Sequence, residues 1–134
     1  MGAWDYGVFD DDVAYDALEE LKESSNIAAD MEGYFDTVIE AEYVDYDEGQ
    51  YALVAAAVID SVVNGTDYKC DEADYAEWTK SLKSIDFAPL MQKAANAVEA
   101  VVSEHSELKE LWDENESLYT LWREDKIAMQ KRLQ

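Results

Sequence analysis

The chain carries one cysteine, Cys70, and one histidine, His105 in the polar stretch SEHSE, and these are the first residues to weigh for chemistry. A Cys–His enzyme needs a thiolate with an imidazole in hydrogen-bond reach. That is a condition on space, which a 35-residue separation neither meets nor breaks. Nothing in the flanking sequence marks either residue as activated, and His105 falls where a helix junction is expected. The 32 acidic residues raise the question of metals. DYDEGQ (45–50) places Asp45 and Asp47 at the first and third positions of a calcium loop. Gly49, Gln50 and Ala56 then stand at the fifth, sixth and twelfth positions, and the EF-hand pattern fails. A di-iron bundle needs Glu-x-x-His on two facing helices, and one histidine cannot supply both. Zinc lacks ligands of the right type. Asp10, Asp11 and Asp12 offer a weak calcium or magnesium cluster, and they keep a small carboxylate-rich metal-dependent module or enzyme as the alternative reading. Any glycosidase-like carboxylate pair is lost among so many acids. No glycine-rich phosphate loop exists, and Lys80, Lys83, Arg123 and Lys126 read as helix-surface charges. The sequence therefore names no catalytic residue, no metal ligand and no cofactor, and an enzyme is not expected.

Ten basic residues against those acids leave a net charge of −22 and a pI near 4.1. A field of that sign repels nucleic-acid phosphates and anionic membranes and attracts cationic proteins. Direct nucleic-acid binding is not expected. A single cysteine excludes a disulfide within the chain and fits a reducing compartment. No basic stretch leads into an apolar one at the start, and YALVAAAVI (51–59) is half the length of a membrane span. A cytoplasmic protein is the expectation. The charge is also uneven: residues 1–48 hold sixteen acids and one base, Lys22.

The elements that position these groups are helices. Hydrophobic content of 49% with 12% aromatics is that of a folded chain, and the apolar residues recur with helical rather than alternating spacing. Few glycines and one proline argue against a sandwich or barrel. A first helix is predicted from Asp10 to about Ser24, with Val13, Ala14, Ala17, Leu18 and Leu21 as its apolar stripe. A second covers about 26–43, facing Ile27, Met31, Phe35, Val38 and Ile39 inward. A third, about 48–64, follows an Asp47–Gln50 capping box and is apolar nearly all round, as a central helix is. Asn64-Gly65 ends it. Further helices are predicted at 72–83, capped by Asp71, at 87–103 with Pro89 in its first turn, and over 106–132 as one long or two broken rods. The last presents Leu108, Leu111, Trp112, Leu118, Trp122, Met129 and Leu133. The fold class is all-α, a single-domain bundle (1–134) of about six helices around 48–64.

The opening MGAWDYGVFDDDVAYD then has a structural explanation. Asp10 is predicted as N-cap, with Asp11 and Asp12 in the first turn meeting the positive end of the helix dipole. Phe9 is expected to close over Ala14, and Gly2 and Gly7 to let Trp4 and Phe9 fold back on the helix. The same stretch resembles the opening of an uncharacterised bacterial domain-of-unknown-function family whose members begin Met-Gly-Ala-Trp-Gly-x-Gly-x-Phe. The matching residues are Met1, Gly2, Ala3, Trp4, Gly7, Phe9, Asp12, Ala14 and Asp16. Asp5 replaces the usual Gly, and Asp11 the usual Asn. SELKELW (106–112) is similar to a segment near that family's C-terminus. The resemblance implies a small bacterial or phage-borne helical domain and transfers no catalytic residue.

What remains is the arrangement of charge. Asp16, Glu19, Glu20 and Glu23 fall opposite the apolar stripe of the first helix. Asp30, Glu32, Asp36 and Glu40 do the same on the second, so two neighbouring helices are predicted to share an anionic face. One reading is a solvated surface that serves solubility alone. The other is an acidic inhibitor or binding protein docked on a basic protein surface, as an immunity or antitoxin-type protein on a nuclease toxin, or as a phage anti-defence DNA mimic on a nucleic-acid-binding complex. Tyr43, Asp45, Tyr46 and Asp47, with Tyr51 and Tyr68, have a composition suited to arginine-rich surfaces, although Tyr51 also suits sealing the bundle end. The oligomeric state is open.

Overall fold

The structure is a computed structural model describing residues 5–134. The expectations for Met1, Gly2, Ala3 and Trp4 lie outside the described residues. Within them are seven helices: α1 (Asp12–Glu23), α2 (Ile27–Glu40), α3 (Tyr46–Asn64), α4 (Tyr75–Ser81), α5 (Ala88–Val101), α6 (Glu107–Asp113) and α7 (Tyr119–Leu133). An all-α bundle is what the periodicity demanded. The stretch 106–132 is two rods, because Asn115 accepts from the amide of Leu118 at 3.2 Å and turns the chain between them. No helix among the described residues is long and apolar enough to cross a membrane.

α3 is the axis and touches all six other helices. From Gly49 to Val62 every residue but Tyr51 is buried, since a helix apolar on all sides has no face to give to water. Ala55, Ala56 and Ala57 keep it slim. Gly49 does the same at its start, where a Cβ would lie 2.8 Å from Leu108 Cδ1 of α6. Around it pack Leu18 and Leu21 of α1, Met31, Phe35 and Val38 of α2, Val98 and Val101 of α5, and Trp122 and Met129 of α7. Full burial of such a side chain is worth about 1.5–3 kcal/mol. α6 and α7 meet through Trp112 and Trp122, stacked at 6.1 Å.

Several helix starts differ from the local patterns because the expected capping groups have other partners. Asp11, not Asp10, caps α1, accepting from the amide of Val13 at 2.7 Å. Asp10 is buried and accepts from the amide of Gly7 at 3.1 Å, closing the turn before the helix. Phe9 sits in a ring of Tyr15, Tyr68 and Tyr75. The Asp47–Gln50 box does not form: Asp45 is the N-cap residue, and Glu107 of α6 takes the amide of Tyr46 at 2.9 Å. α4 follows Asp74 rather than Asp71, and makes no side-chain cap, because Asp74 is held by Lys22 at 2.9 Å.

α2 stops at Glu40 instead of reaching 43 because Val44 is drawn into a parallel bridge with Ser106. The Val44 amide donates to the His105 carbonyl at 2.8 Å, and the Glu107 amide to the Val44 carbonyl at 2.9 Å. Ile39, expected inward, is 40% exposed. Met31, Phe35 and Val38 define the inner face, and Ile39 lies about 40° past its Phe35 edge. On α7, Leu121 is exposed, while Lys126, expected at the surface, is 1% exposed. Its ammonium donates to the Tyr6 carbonyl at 2.8 Å and to Asp125 at 2.7 Å, tying the N-terminal segment to α7. Burial pulls its pKa below the usual lysine range. α3 does end as its sequence implies, on Gly65 at φ 70° with its amide bonded to the Ser61 carbonyl.

Candidate partner-binding site

α1 and α2 lie against each other and against α3. Asp16, Glu19, Glu20 and Glu23 are all exposed, as are Asp30, Glu32 and Glu40; Asp36 is half-buried. The periodicity that buries Ala14, Ala17, Leu18 and Leu21 forces the α1 acids outward. Charge compensation divides the two helices. Lys93 of α5 pairs with both Glu32 and Asp36 at 2.9 Å, so that flank of α2 is locally balanced. Among the described residues no ion pair reaches Asp16, Glu19, Glu20 or Glu23. Lys22, the base on α1 itself, turns the other way to Glu72 and Asp74.

Between α2 and the start of α3, a cleft of 280 Å³ is lined by Tyr34, Thr37, Asp47, Glu48 and Tyr51. The two tyrosines meet edge to face, with centroids 5.2 Å apart and planes at 84°. Both phenols are pushed up in pKa, first by burial and then by carboxylates. Glu20 and Asp16 act on Tyr51, with Glu20 accepting from its hydroxyl; Glu20 and Asp30 act on Tyr34. Thus Asp16, Glu20, Asp30 and Asp47, four of the site residues read from sequence, surround one tyrosine pair. Tyr34 and Glu48 were missed. Tyr34 stands three residues before Thr37 on the α2 flank that meets α3, and only the fold shows that flank to be shared with Tyr51.

The remaining candidates lie elsewhere. Tyr43 is exposed and donates to Glu110 at 3.0 Å, with Glu107 and Asp45 nearby. Tyr46 is half-buried, and its hydroxyl donates to Asp11, so it serves the fold more than a surface. Glu19, Glu23 and Glu40 are exposed outside the cleft lining. No group of three His, Cys, Asp or Glu among the described residues converges as metal ligands do. Cys70 lies beside Tyr15, Glu72 and Lys22, and burial pushes its thiol up, away from the reactive form. His105 is exposed and contacts Ser103. Neither supports the other.

A second polar centre, also missed, is internal. Asp60, fully buried in α3, accepts from Asn64 at 2.8 Å, Tyr68 at 2.6 Å and Arg132 at 2.9 Å. The signal for it was in the sequence: one acid inside an otherwise apolar run from Tyr51.

No curated protein and no solved structure matches the chain significantly. A family model covers nearly all of it, residues 2–125, and the chain belongs to that family, described as Domain of unknown function (DUF4259).

Proposed function

We propose that this is a non-catalytic acidic binding protein that docks the α1 face on a basic protein surface, one built to hold nucleic-acid phosphates. A nuclease toxin restrained by its immunity protein is one such partner, and a nucleic-acid-binding defence complex blocked by a bacterial or phage DNA mimic is another. Both present the same chemistry to this chain in the cytoplasm. The observation that supports the reading is the outward row Asp16, Glu19, Glu20 and Glu23 on one helix face, none of which makes an ion pair among the described residues. Carboxylates at helical spacing can enter a groove made for phosphates, and steered association of this kind is fast and sensitive to salt.

The test is capture of basic proteins on the immobilised chain, with two charge-matched variants. One reverses Asp16, Glu19, Glu20 and Glu23 to Lys; the other reverses the exposed Glu77, Glu114, Glu116 and Glu124. Capture should fall steeply as ionic strength shortens the Debye length from about 30 Å to about 8 Å. It should disappear in the first variant, survive in the second, and be displaced by duplex DNA or RNA. Equal loss in both variants would reduce the effect to net charge.

A further inference from the structure

We infer that the tyrosine-walled cleft between α2 and α3 receives the guanidinium of an arginine side chain from the partner. This rests on the docking reading above for the source of the arginine, but the cleft's own chemistry selects the group.

Size comes first. At 280 Å³ the cleft falls just below the range of about 300–1,000 Å³ typical of drug-sized ligand pockets, so it suits one side chain rather than a whole ligand. Its walls are two phenol rings, and ring faces attract cations through the aromatic quadrupole. Its surroundings are anionic: Asp47 and Glu48 line it, Glu20 and Asp16 act on Tyr51, and Glu20 and Asp30 act on Tyr34. None of these five carboxylates holds a lysine or arginine among the described residues.

Shape then separates the cations. A divalent metal needs several oxygens on one point, and these carboxylates do not converge as a metal-binding group among the described residues. They are spread around an aromatic pair. A lysine ammonium is a compact, strongly hydrated charge, whereas guanidinium is planar, more weakly hydrated, stacks on rings and offers five donors to separated oxygens. The Tyr34 and Tyr51 phenols are raised first by burial and only then by these carboxylates, whose negative charge is near enough to both rings for a cation entering the cleft to be attracted.

The experiment titrates the whole protein with a blocked Gly-Arg-Gly peptide and its Gly-Lys-Gly counterpart, following the ring resonances of Tyr34 and Tyr51 by NMR. Weak saturable binding is expected, with shifts concentrated on these rings and on Thr37, and with arginine preferred over lysine by about two- to fivefold. Tyr51→Leu should abolish the preference. Should that variant fail to fold, Thr37→Arg serves instead: Thr37 lines the cleft beside Tyr34, and its replacement fills the space from the rim and should block the peptide. Equal shifts with both peptides, shifts dispersed over the acidic surface, or binding indifferent to Thr37→Arg would each overturn the assignment. The capture experiment separates the two ideas. Capture lost on reversing α1 but unchanged by Thr37→Arg refutes the cleft as the anchor and leaves the face standing. Arginine preference without salt-sensitive capture refutes the docking face.

Discussion

Removing Arg132 should cost less than removing the carboxylate it serves. Asp60 is fully buried, and its three donors are Asn64, Tyr68 and Arg132. Arg132→Ala deletes the charge-assisted hydrogen bond to Asp60, worth about 1.5–3 kcal/mol, and a longer one from Nη2 to the Tyr68 hydroxyl at 3.3 Å. The larger penalty of about 3–5 kcal/mol for orphaning a buried ion is not reached, for two reasons. The Arg132 side chain is 37% exposed, so water already screens the pair, and Asn64 and Tyr68 still hold the carboxylate. About 2 kcal/mol is expected. Asp60→Ala leaves Tyr68 and Asn64 without their acceptor, at about 1–3 kcal/mol each, and opens space beside α3, so about 3–5 kcal/mol is expected. Because both changes break the same link, the double variant should fall short of their sum by at least about 1 kcal/mol. Urea unfolding followed by circular dichroism, with the m-value checked for constancy, gives all three numbers. If Arg132→Ala costs as much as Asp60→Ala, or both stay within about 0.5 kcal/mol of the parent, the network is not what fastens α7 and the 65–70 loop to the central helix.

The phenols of Tyr15, Tyr51, Tyr68 and Tyr75 are pushed up by burial, Tyr15 to about 12. A folded pKa above the unfolded value of about 10 means the native state keeps protons the unfolded chain has lost, so their stabilisation is full below about pH 10 and drains away above it. Lys126, with its depressed pKa, works in the opposite direction but alone. Stability should therefore decline above about pH 10, with part of the tyrosinate absorbance rising together with unfolding; titration of all nine tyrosines near pH 10 in still-native protein would contradict the burial. Two glycines should respond with opposite signs. Gly33, exposed in mid-α2 with nothing within 4 Å of where a Cβ would stand, gains about 0.5–1 kcal/mol as Ala. Gly65, at φ 70°, loses about 1 kcal/mol or more as Ala, and thermal melts of the pair read both.

Legibility followed the range of the interaction. Helix type, the central place of 48–64 and the Gly65 stop were readable because periodicity and left-handed backbone are local properties. The caps were not: Asp10, Asp47 and Asp71 all have a capping residue type, but Asp10 closes the turn on Gly7, Asp45 starts α3 with Glu107 reaching the Tyr46 amide across the fold, and α4 begins after Asp74, which Lys22 holds. Lys126 was misread for a related reason. Its helix is polar enough for any position to look exposed, and the long-range partner that holds its ammonium inside is the Tyr6 carbonyl, 120 residues away. The outward acids of α1 were legible from the spacing of its apolar stripe. The cleft was not, because Tyr34 and Tyr51 belong to different helices whose mutual rotation no local pattern encodes.

The acids of α1 are also placed against the helix's own interest. Asp16 with Glu20, and Glu19 with Glu23, are like charges four residues apart, each pair opposing the helix by about 0.2–0.5 kcal/mol. Glu23 adds negative charge at the negative end of the dipole. Lys93 relieves two acids of the neighbouring helix, Glu32 and Asp36, whereas no ion pair among the described residues relieves these four. Reversal of these four residues lowers the total negative charge and puts a cation at the C-terminus of α1, which offsets the lost Tyr51–Glu20 bond. The reversed protein should thus melt no lower than the parent at low salt. Its failure to capture a basic partner then reports a lost recognition face and not an unfolded chain, while a lower melting temperature would mean that the row of acids belongs to the fold.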